Sequence, residues 1–194
     1  MRGLVTAACA AVLLLGACGE KQDDSDPLAQ HPELLQRADL PEAEDVEVSD
    51  QTNVSKTNCA AMDSEWNLAA SDDFVYASFR LADGDSVVRS AVQGPPTGSD
   101  SIDVTFDRLT SMIDECVADE RSSGSFERLD GLPDGAVGFR AVQETSNGPQ
   151  TTERAYAPAG DERAVVVTVV HTGDGEPAAD VASLLPKALE RAEG

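Results

Sequence analysis

Residues 74–93 read FVYASFRLADGDSVVRSAVQ, two stretches of alternating apolar and polar residues joined by Asp83-Gly84. An aspartate–glycine pair between two such stretches is a strong signal for a β-hairpin, because glycine adopts the positive φ angle that a tight turn requires. One face of the hairpin would carry the apolar residues Val75, Ala77, Phe79, Leu81, Val88 and Val92. The stretch therefore predicts an antiparallel sheet with one face buried in a core.

The opposite face of the first predicted strand carries Phe74, Tyr76, Ser78 and Arg80. Tyr76 and Arg80 are the pair in this sequence most suited to contact a ligand. A helix packed on this face would explain Phe74 and Tyr76 equally well. Both interpretations remain open from the sequence alone.

A helix is predicted after the hairpin, over residues 103–119, from apolar positions that recur every three and four residues. Residues 99–101 (Ser-Asp-Ser) offer side-chain oxygens for its N-cap. The stripe that we expect to be buried consists of Phe106, Leu109, Ile113, Cys116 and Val117.

The second half of the chain predicts a meander of strands over residues 125–129, 136–145, 150–157 and 163–171. Residues 164–170 (AVVVTVV) form an almost unbroken apolar run, which suits a central strand covered on both faces. Residues 150–157 (QTTERAYA) are more polar, and we expect them to be half exposed.

A second helix is predicted at the C-terminus, opening at residues 174–177 with Pro177 in its first turn. Pro186 lies within its apolar stripe and is expected to kink or divide the helix. The fold class is therefore α+β: an antiparallel sheet packed by a mid-domain helix and a C-terminal helix.

The first eighteen residues, MRGLVTAACAAVLLLGAC, have the pattern of a lipoprotein signal. Arg2 precedes an apolar stretch that is too short for a membrane-spanning helix, which needs about 20 residues. Residues 15–18 (Leu-Gly-Ala-Cys) resemble the lipobox of bacterial lipoproteins, in which the cysteine thiol receives a diacylglyceryl group. We therefore predict a signal peptide over residues 1–17 and lipidation of Cys18, with Cys9 as a weaker alternative. Acyl chains at Cys18 would attach the protein to the outer face of the cell membrane.

Residues 18–54 are predicted to form an acidic tether that is mostly disordered, because they contain few apolar residues to offset the entropy of ordering. We expect disorder up to about Pro32. Residues 33–48 are ambiguous, because their scattered leucines and valines could dock on the domain as a helical turn and an edge strand. The folded domain is predicted over residues 55–194.

Four cysteines are present, and two of them remain for the folded domain. Cys9 would leave with the signal peptide and Cys18 would be acylated, so Cys59 and Cys116 have one possible pairing. An exported location permits a disulfide between them. Two free buried thiols or a metal pair are the alternatives, and the lack of a nearby histidine makes the metal pair the poorer one.

The balance of charge excludes some functions. The chain has 36 acidic and 14 basic residues and a net charge of −22, which argues against nucleic acid and anionic lipid as electrostatic partners. Of the two histidines, His31 lies in the tether and His171 ends a strand, and no Gly-x-Ser-x-Gly motif accompanies them. Residues 23–26 lack the glycine and the terminal glutamate of a calcium loop. We therefore expect no catalytic site, metal or cofactor.

The whole pattern resembles a known family of envelope proteins. The features that carry the resemblance are the acylated acidic tether, Cys59, Trp66, a mid-domain helix ending at Cys116, the strand meander and the terminal helix. Together they resemble actinobacterial envelope lipoproteins that are related in pattern to the extracellular sensor domain of PknH-type mycobacterial serine/threonine kinases. The resemblance covers roughly residues 55–194. It implies a ligand bound in a groove over a sheet, and it assigns no binding residues.

The sequence thus predicts a membrane-anchored extracytoplasmic lipoprotein with a non-catalytic domain that binds a small ligand or an envelope protein. A structural or accessory component of the envelope is one alternative. A hydrolase acting on envelope substrates is the other. Trp66 is expected to belong to the core rather than to a ligand platform.

Overall fold

A computed structural model describes residues 26–50, 59–65, 74–94, 101–119 and 124–194. Within them the chain forms a seven-stranded sheet with helices on both faces, which confirms the α+β class. All neighbouring strands are antiparallel. After a short 3₁₀ helix at Pro27–Gln30, the elements are β1 (Ala43–Ser49), α1 (Ala60–Glu65), β2 (Phe74–Leu81), β3 (Ser86–Gln93), α2 (Ile102–Ala118), β4 (Ser125–Arg128), β5 (Val137–Thr145), β6 (Gly148–Ala159), β7 (Arg163–Thr172) and α3 (Val181–Glu193).

The predicted hairpin is confirmed as β2 and β3. Gly84 has φ +77° at its turn, where the side chain of Asp83 accepts hydrogen bonds from the backbone N–H groups of Asp85 and Ser86. The apolar face points into one core, and Phe79 there is fully buried opposite Val88. Local turn chemistry and two-residue periodicity were sufficient to predict this element.

The strand order is β1-β2-β3-β7-β6-β5-β4, so β7 is central, as its apolar run predicted. Strand β6 lies beside it and pairs with β5 on its other edge. Residues 151–157 of β6 are all buried, and the expectation that residues 150–157 are half exposed was wrong. The strand is buried because both of its faces are covered: α3 packs on one, and Tyr156 lies in the core beneath α1 and α2 on the other.

Helix α3 packs on β6 and β7 and covers one face of the sheet. It begins at Val181, where the Asp180 side chain accepts a hydrogen bond from the Ala182 N–H at 3.0 Å. The predicted start at residues 174–177 was wrong, because residues 174–175 form a bend and residues 176–177 have no regular structure before the Asp180 cap. The helix is not divided at Pro186, which lies on its exposed side.

Helix α2 packs on the other face, against α1, β4 and β5. Its N-cap is Ser101, whose hydroxyl accepts a hydrogen bond from the Val104 N–H at 3.3 Å. The predicted buried stripe is confirmed with one exception, Val117, which is 46% exposed. Val117 directly follows Cys116 and is therefore rotated by about 100° around the helix from the buried stripe.

Residues 26–49 pack against the domain, and we name them the N-terminal strap. Leu28, Leu34 and Leu35 are fully buried in the core beneath α3, and β1 pairs with β2 at the sheet edge. Residues 33–48 therefore dock, with an edge strand, as one of the two interpretations of that segment proposed, whereas the expected disorder up to about Pro32 does not extend past Asp26. A few leucines in an acidic segment were enough to dock it, which average composition did not reveal.

Within the described residues, no helix is long and apolar enough to cross a membrane.

Candidate functional site

The disulfide predicted between Cys59 and Cys116 is present, with Cα atoms 5.7 Å apart. It ties the start of α1 to the last turn of α2, and both cysteines are buried. Closing a loop with a sequence separation of 57 stabilises the fold by about 4 kcal/mol in the chain-entropy model. Two other residues singled out from the sequence, Cys18 and Trp66, lie outside the described residues.

The sheet surface that faces α1 and α2 carries an unusual pair of charged residues. Arg89 on β3 and Arg154 on β6 both pair with Thr168 on the central strand β7. Side chains directly opposite one another in a sheet point to the same face, so all three project towards α1 and α2. We name the surface formed by Arg89, Arg154, Thr152 and Thr168 the arginine face.

Arg154 is 6% exposed. Its Nε atom donates a hydrogen bond to Thr168 Oγ1 at 3.0 Å, and its guanidinium carbon lies 5.9 Å from the centre of the Phe139 ring. No carboxylate of the described residues forms an ion pair with Arg154. A buried cation without a counter-ion is costly, since burial removes its hydration and the ring and hydroxyl replace only part of it.

Arg89 is partly exposed, at the more open side of the arginine face. Burial lowers the pKa of Arg89, the neighbouring Tyr76 raises it, and the positive charge of Arg154 lowers it further. The arginine side chain stays protonated in proteins, so the last effect reports a repulsion between two cations. The two side chains therefore influence each other's charge across the row that they share with Thr168.

The phenol of Tyr156 is fully buried beside Arg154, and burial raises the pKa of Tyr156 against the opposing charge of Arg154 and a hydrogen bond from its guanidinium. Thr152 is 2% exposed, and its Oγ1 atom has no hydrogen-bond partner in the described part of the chain. A hydroxyl buried without a partner loses its hydrogen bonds to water and gains none within the protein. The arginine face therefore combines two cations with an unsatisfied polar atom.

Apolar side chains border the arginine face. Val87 and Val170 lie opposite each other on β3 and β7, next to Thr152 in the same row, and both are partly exposed. Tyr76 of β2 lies on the same side of the sheet, with its ring 5.7 Å from that of Phe74. This arrangement can bind the charged group of a ligand and contact its apolar part.

The pair chosen from the sequence, Tyr76 and Arg80, lies on this same side of the sheet. Tyr76 and Phe74 pack against the core beneath α1 and α2, as the helix-packing alternative proposed, whereas Arg80 is exposed. Sequence reasoning missed Arg89 and Arg154. The available signal was an arginine in the middle of each alternating strand, and only strand pairing shows that both flank the same threonine.

His171 lies on the opposite face, at the end of β7, as predicted. Its Nδ1 atom is 3.0 Å from Ser86 Oγ, and that hydroxyl is 2.6 Å from Asp83 Oδ2. Burial raises the pKa of Asp83, but hydrogen bonds from Ser86 and the Asp85 N–H, together with the charge of His171, outweigh it and the pKa is lowered.

This chain of contacts does not have the geometry of a serine nucleophile. Ser86 is fully buried, and its hydroxyl also accepts a hydrogen bond from the Ala178 N–H at 3.3 Å. The carboxylate of Asp83 contacts the serine instead of orienting the imidazole, unlike a hydrolase triad. The cluster fastens the segment before α3 to the end of the sheet.

An open groove of about 420 Å³ lies between the strap and the N-terminus of α3. Leu40, Leu81 and Leu184 give it an apolar floor, and Glu42 and Asp180 give it acidic edges. Asp180 already serves as the helix cap, so the groove offers few free polar groups for recognition.

Among the described residues, no group of three or more histidine, cysteine, aspartate or glutamate side chains could hold a metal ion. No protein-family model, curated protein or solved structure matches the chain.

Proposed function

We propose that the protein is an extracytoplasmic lipoprotein, anchored through Cys18, with a non-catalytic domain that binds a ligand on the arginine face. The single observation that carries the binding function is the burial of Arg154 without a carboxylate partner among the described residues. Such an arrangement destabilises a domain unless a ligand compensates it. Destabilised polar arrangements of this kind are typical of binding sites.

The anchor is supported by the lipobox-like residues 15–18 at the end of an apolar stretch. The Cys59–Cys116 disulfide agrees with an exported location, because such bonds persist in oxidising compartments and are rare in the cytosol. Both features favour a protein that works outside the cell membrane.

A structural or accessory role is the second candidate. A flat, exposed apolar patch that could contact a partner protein would favour it. The large hydrophobic residues exposed in the described part of the chain are Val104 and Val117, which are 13 positions apart on α2 and form no continuous patch. A hydrolase is less favoured, since Ser86 is buried and engaged by three groups.

The proposed function is tested by native mass spectrometry of the full chain extracted from membranes of an expressing bacterium. We expect an N-terminus at a diacylated or triacylated Cys18, a mass two hydrogens below that of the reduced chain, and a retained small molecule. The matched variant Cys18→Ser should remain unacylated and leave the membrane fraction. Equal membrane partitioning of parent and variant would refute the anchor, and a chain that never retains or accepts a ligand would refute the binding function.

A further inference from the structure

We propose that Arg89 and Arg154 together bind an oxyanion, the phosphate or carboxylate headgroup of the ligand. This inference rests on the proposed binding function and names the chemistry that the arginine face recognises. The two residues lie on β3 and β6, the two neighbours of the central strand, and each is directly opposite Thr168. Adjacent strands are about 4.8 Å apart, so the two Cα atoms are about 10 Å apart on one face.

The position of Arg154 is fixed before any ligand binds. Its Nε atom donates to Thr168 Oγ1 at 3.0 Å, which directs the side chain towards the central strand and hence towards Arg89. The ring of Phe139 supports the guanidinium from one side. Nε is thereby occupied, the guanidinium also donates to the phenol of Tyr156, and an oxyanion would contact the remaining N–H groups of the two Nη atoms. A planar guanidinium binds two oxygens of a phosphate or carboxylate at once.

The charge of the surroundings favours an anion at this point. The chain has 36 acidic residues, yet none in its described part forms an ion pair with Arg154. The positive charges of Arg89 and Arg154 also repel each other. One oxyanion between them would relieve the repulsion and satisfy the buried cation together.

The contrast with Arg140 shows that the protein pairs other arginines in the usual way. Arg140 lies on the opposite face of the sheet, and its guanidinium has Glu176 at 3.2 Å and Glu127 and Glu153 at 3.9 Å. Arg154, which is more deeply buried, has the Thr168 hydroxyl, the Tyr156 phenol and an aromatic ring instead of a carboxylate from the described residues. We infer that the position of its counter-ion is left for a ligand.

The apolar border of the site indicates where the rest of the ligand lies. Val87 and Val170 are partly exposed on the same face as the two arginines, one row away along the strands. A free anion would leave these side chains in water, whereas an anion attached to an alkyl group would cover them. The same headgroup chemistry therefore fits free phosphate or the phosphate of an amphiphile.

The test is isothermal titration calorimetry on the purified full chain with inorganic phosphate and with butyl phosphate, and with butanol as the uncharged control. We expect both phosphates to bind and butanol not to bind. Tighter binding of butyl phosphate would identify the headgroup of an amphiphile, and equal binding would identify a free anion. Absence of heat with both phosphates, at millimolar concentrations and low salt, would overturn the proposal.

Two variants test the residues. Arg89→Gln changes a partly exposed residue and should fold, and Arg154→Lys keeps the charge but loses the two-pronged guanidinium. Each should weaken phosphate binding by about tenfold or more, which corresponds to one lost charge-assisted hydrogen bond. Arg128→Gln is the matched control, because Arg128 is exposed and already bonded to Asp114 at 2.9 Å. Unchanged binding in both test variants would overturn the assignment.

A stability measurement separates a binding role from a structural one. Arg154→Met removes the buried charge but keeps the bulk of the side chain, so the ligand-free variant should unfold at the same temperature as the parent or higher. It should also lose the rise in unfolding temperature that phosphate gives the parent. A marked loss of stability in this variant would show that Arg154 already has a structural partner, and would overturn the proposal. These readouts do not depend on lipidation, so failure of the anchor at Cys18 is detected separately by mass and membrane partitioning.

Discussion

Arg191, in the last turn of α3, donates two hydrogen bonds to the Asp39 carboxylate, at 3.1 Å and 3.3 Å, across a sequence separation of 152 residues. The neighbouring Lys187 donates to the backbone carbonyl of Asp39 at 3.3 Å. These contacts fix the N-terminal strap to the final helix. A segment whose composition predicts disorder is thereby part of the folded unit.

Substitution of a strap leucine should destabilise the whole domain. Leu34 is fully buried in the core beneath α3, so Leu34→Ala should lower the free energy of unfolding by about 2–5 kcal/mol. Urea unfolding followed by circular dichroism measures the change. Val104→Ala, at a 56% exposed position on α2, is the control and should alter stability by at most about 0.5 kcal/mol. An equally small effect of Leu34→Ala would mean that the strap is not docked in solution.

The ion pair between strap and helix should contribute little energy of its own. The side chain of Asp39 is 13% exposed and that of Arg191 is 39% exposed, so solvent screens the interaction. A double-mutant cycle with Asp39→Asn and Arg191→Gln should give a coupling energy of about 0.5–1 kcal/mol. The coupling should shrink at high salt. A coupling that is unaffected by salt would contradict an exposed ion pair.

Loss of the disulfide should be more damaging than loss of the ion pair. The double variant Cys59→Ala/Cys116→Ala should lose up to about 4 kcal/mol of stability, because its unfolded chain is no longer constrained. Unfolding of the parent with and without a reductant provides the same comparison without any substitution. Identical stability of the oxidised and reduced parent would contradict a structural role for the bond.

Glu153 should make stability depend on pH. Burial raises the pKa of Glu153, against the opposing effects of Arg140 and the Val181 N–H. In the window above the ordinary value of 4.5 and up to the raised pKa, the native protein binds more protons than the unfolded chain. Its stability therefore falls as the pH rises through that window.

The variant Glu153→Gln removes this titration and should lose less stability than the parent between pH 4.5 and neutral pH. A series of urea unfolding curves over that range gives the two slopes. Glu127→Gln removes an exposed carboxylate that also lies 3.9 Å from Arg140, and it should retain the slope of the parent. If Glu153→Gln and the parent have parallel profiles, the carboxyl of Glu153 is not responsible.

Local patterns predicted the elements whose causes are local. The turn at Asp83-Gly84, the stripe of α2 except for Val117 and the apolar run of β7 each follow from neighbouring residues and were predicted correctly. The start of α3 was missed because Asp180, rather than Pro177, provides the cap. An N-cap depends on one side-chain hydrogen bond, and the spacing of apolar residues along the helix does not show which residue forms it.

The arginine face could not be predicted in the same way. Arg89 and Arg154 are far apart in sequence, and they become neighbours only because β3 and β6 both pair with β7 in one particular register. The burial of β6 likewise depends on the layers packed on both faces of the sheet and not on its own side chains. Register between distant strands was the information missing for the arginine pair, and the packing of distant elements was the information missing for β6.

Docking of the N-terminal strap also shortens the segment that would link the domain to the lipid. With Asp26 fixed to the domain and the lipid on Cys18, as proposed, residues 19–25 are the connection, and seven residues span at most about 25 Å. A domain of this size is about 35–40 Å across. On that proposal, the domain would lie within less than its own diameter of the bilayer surface.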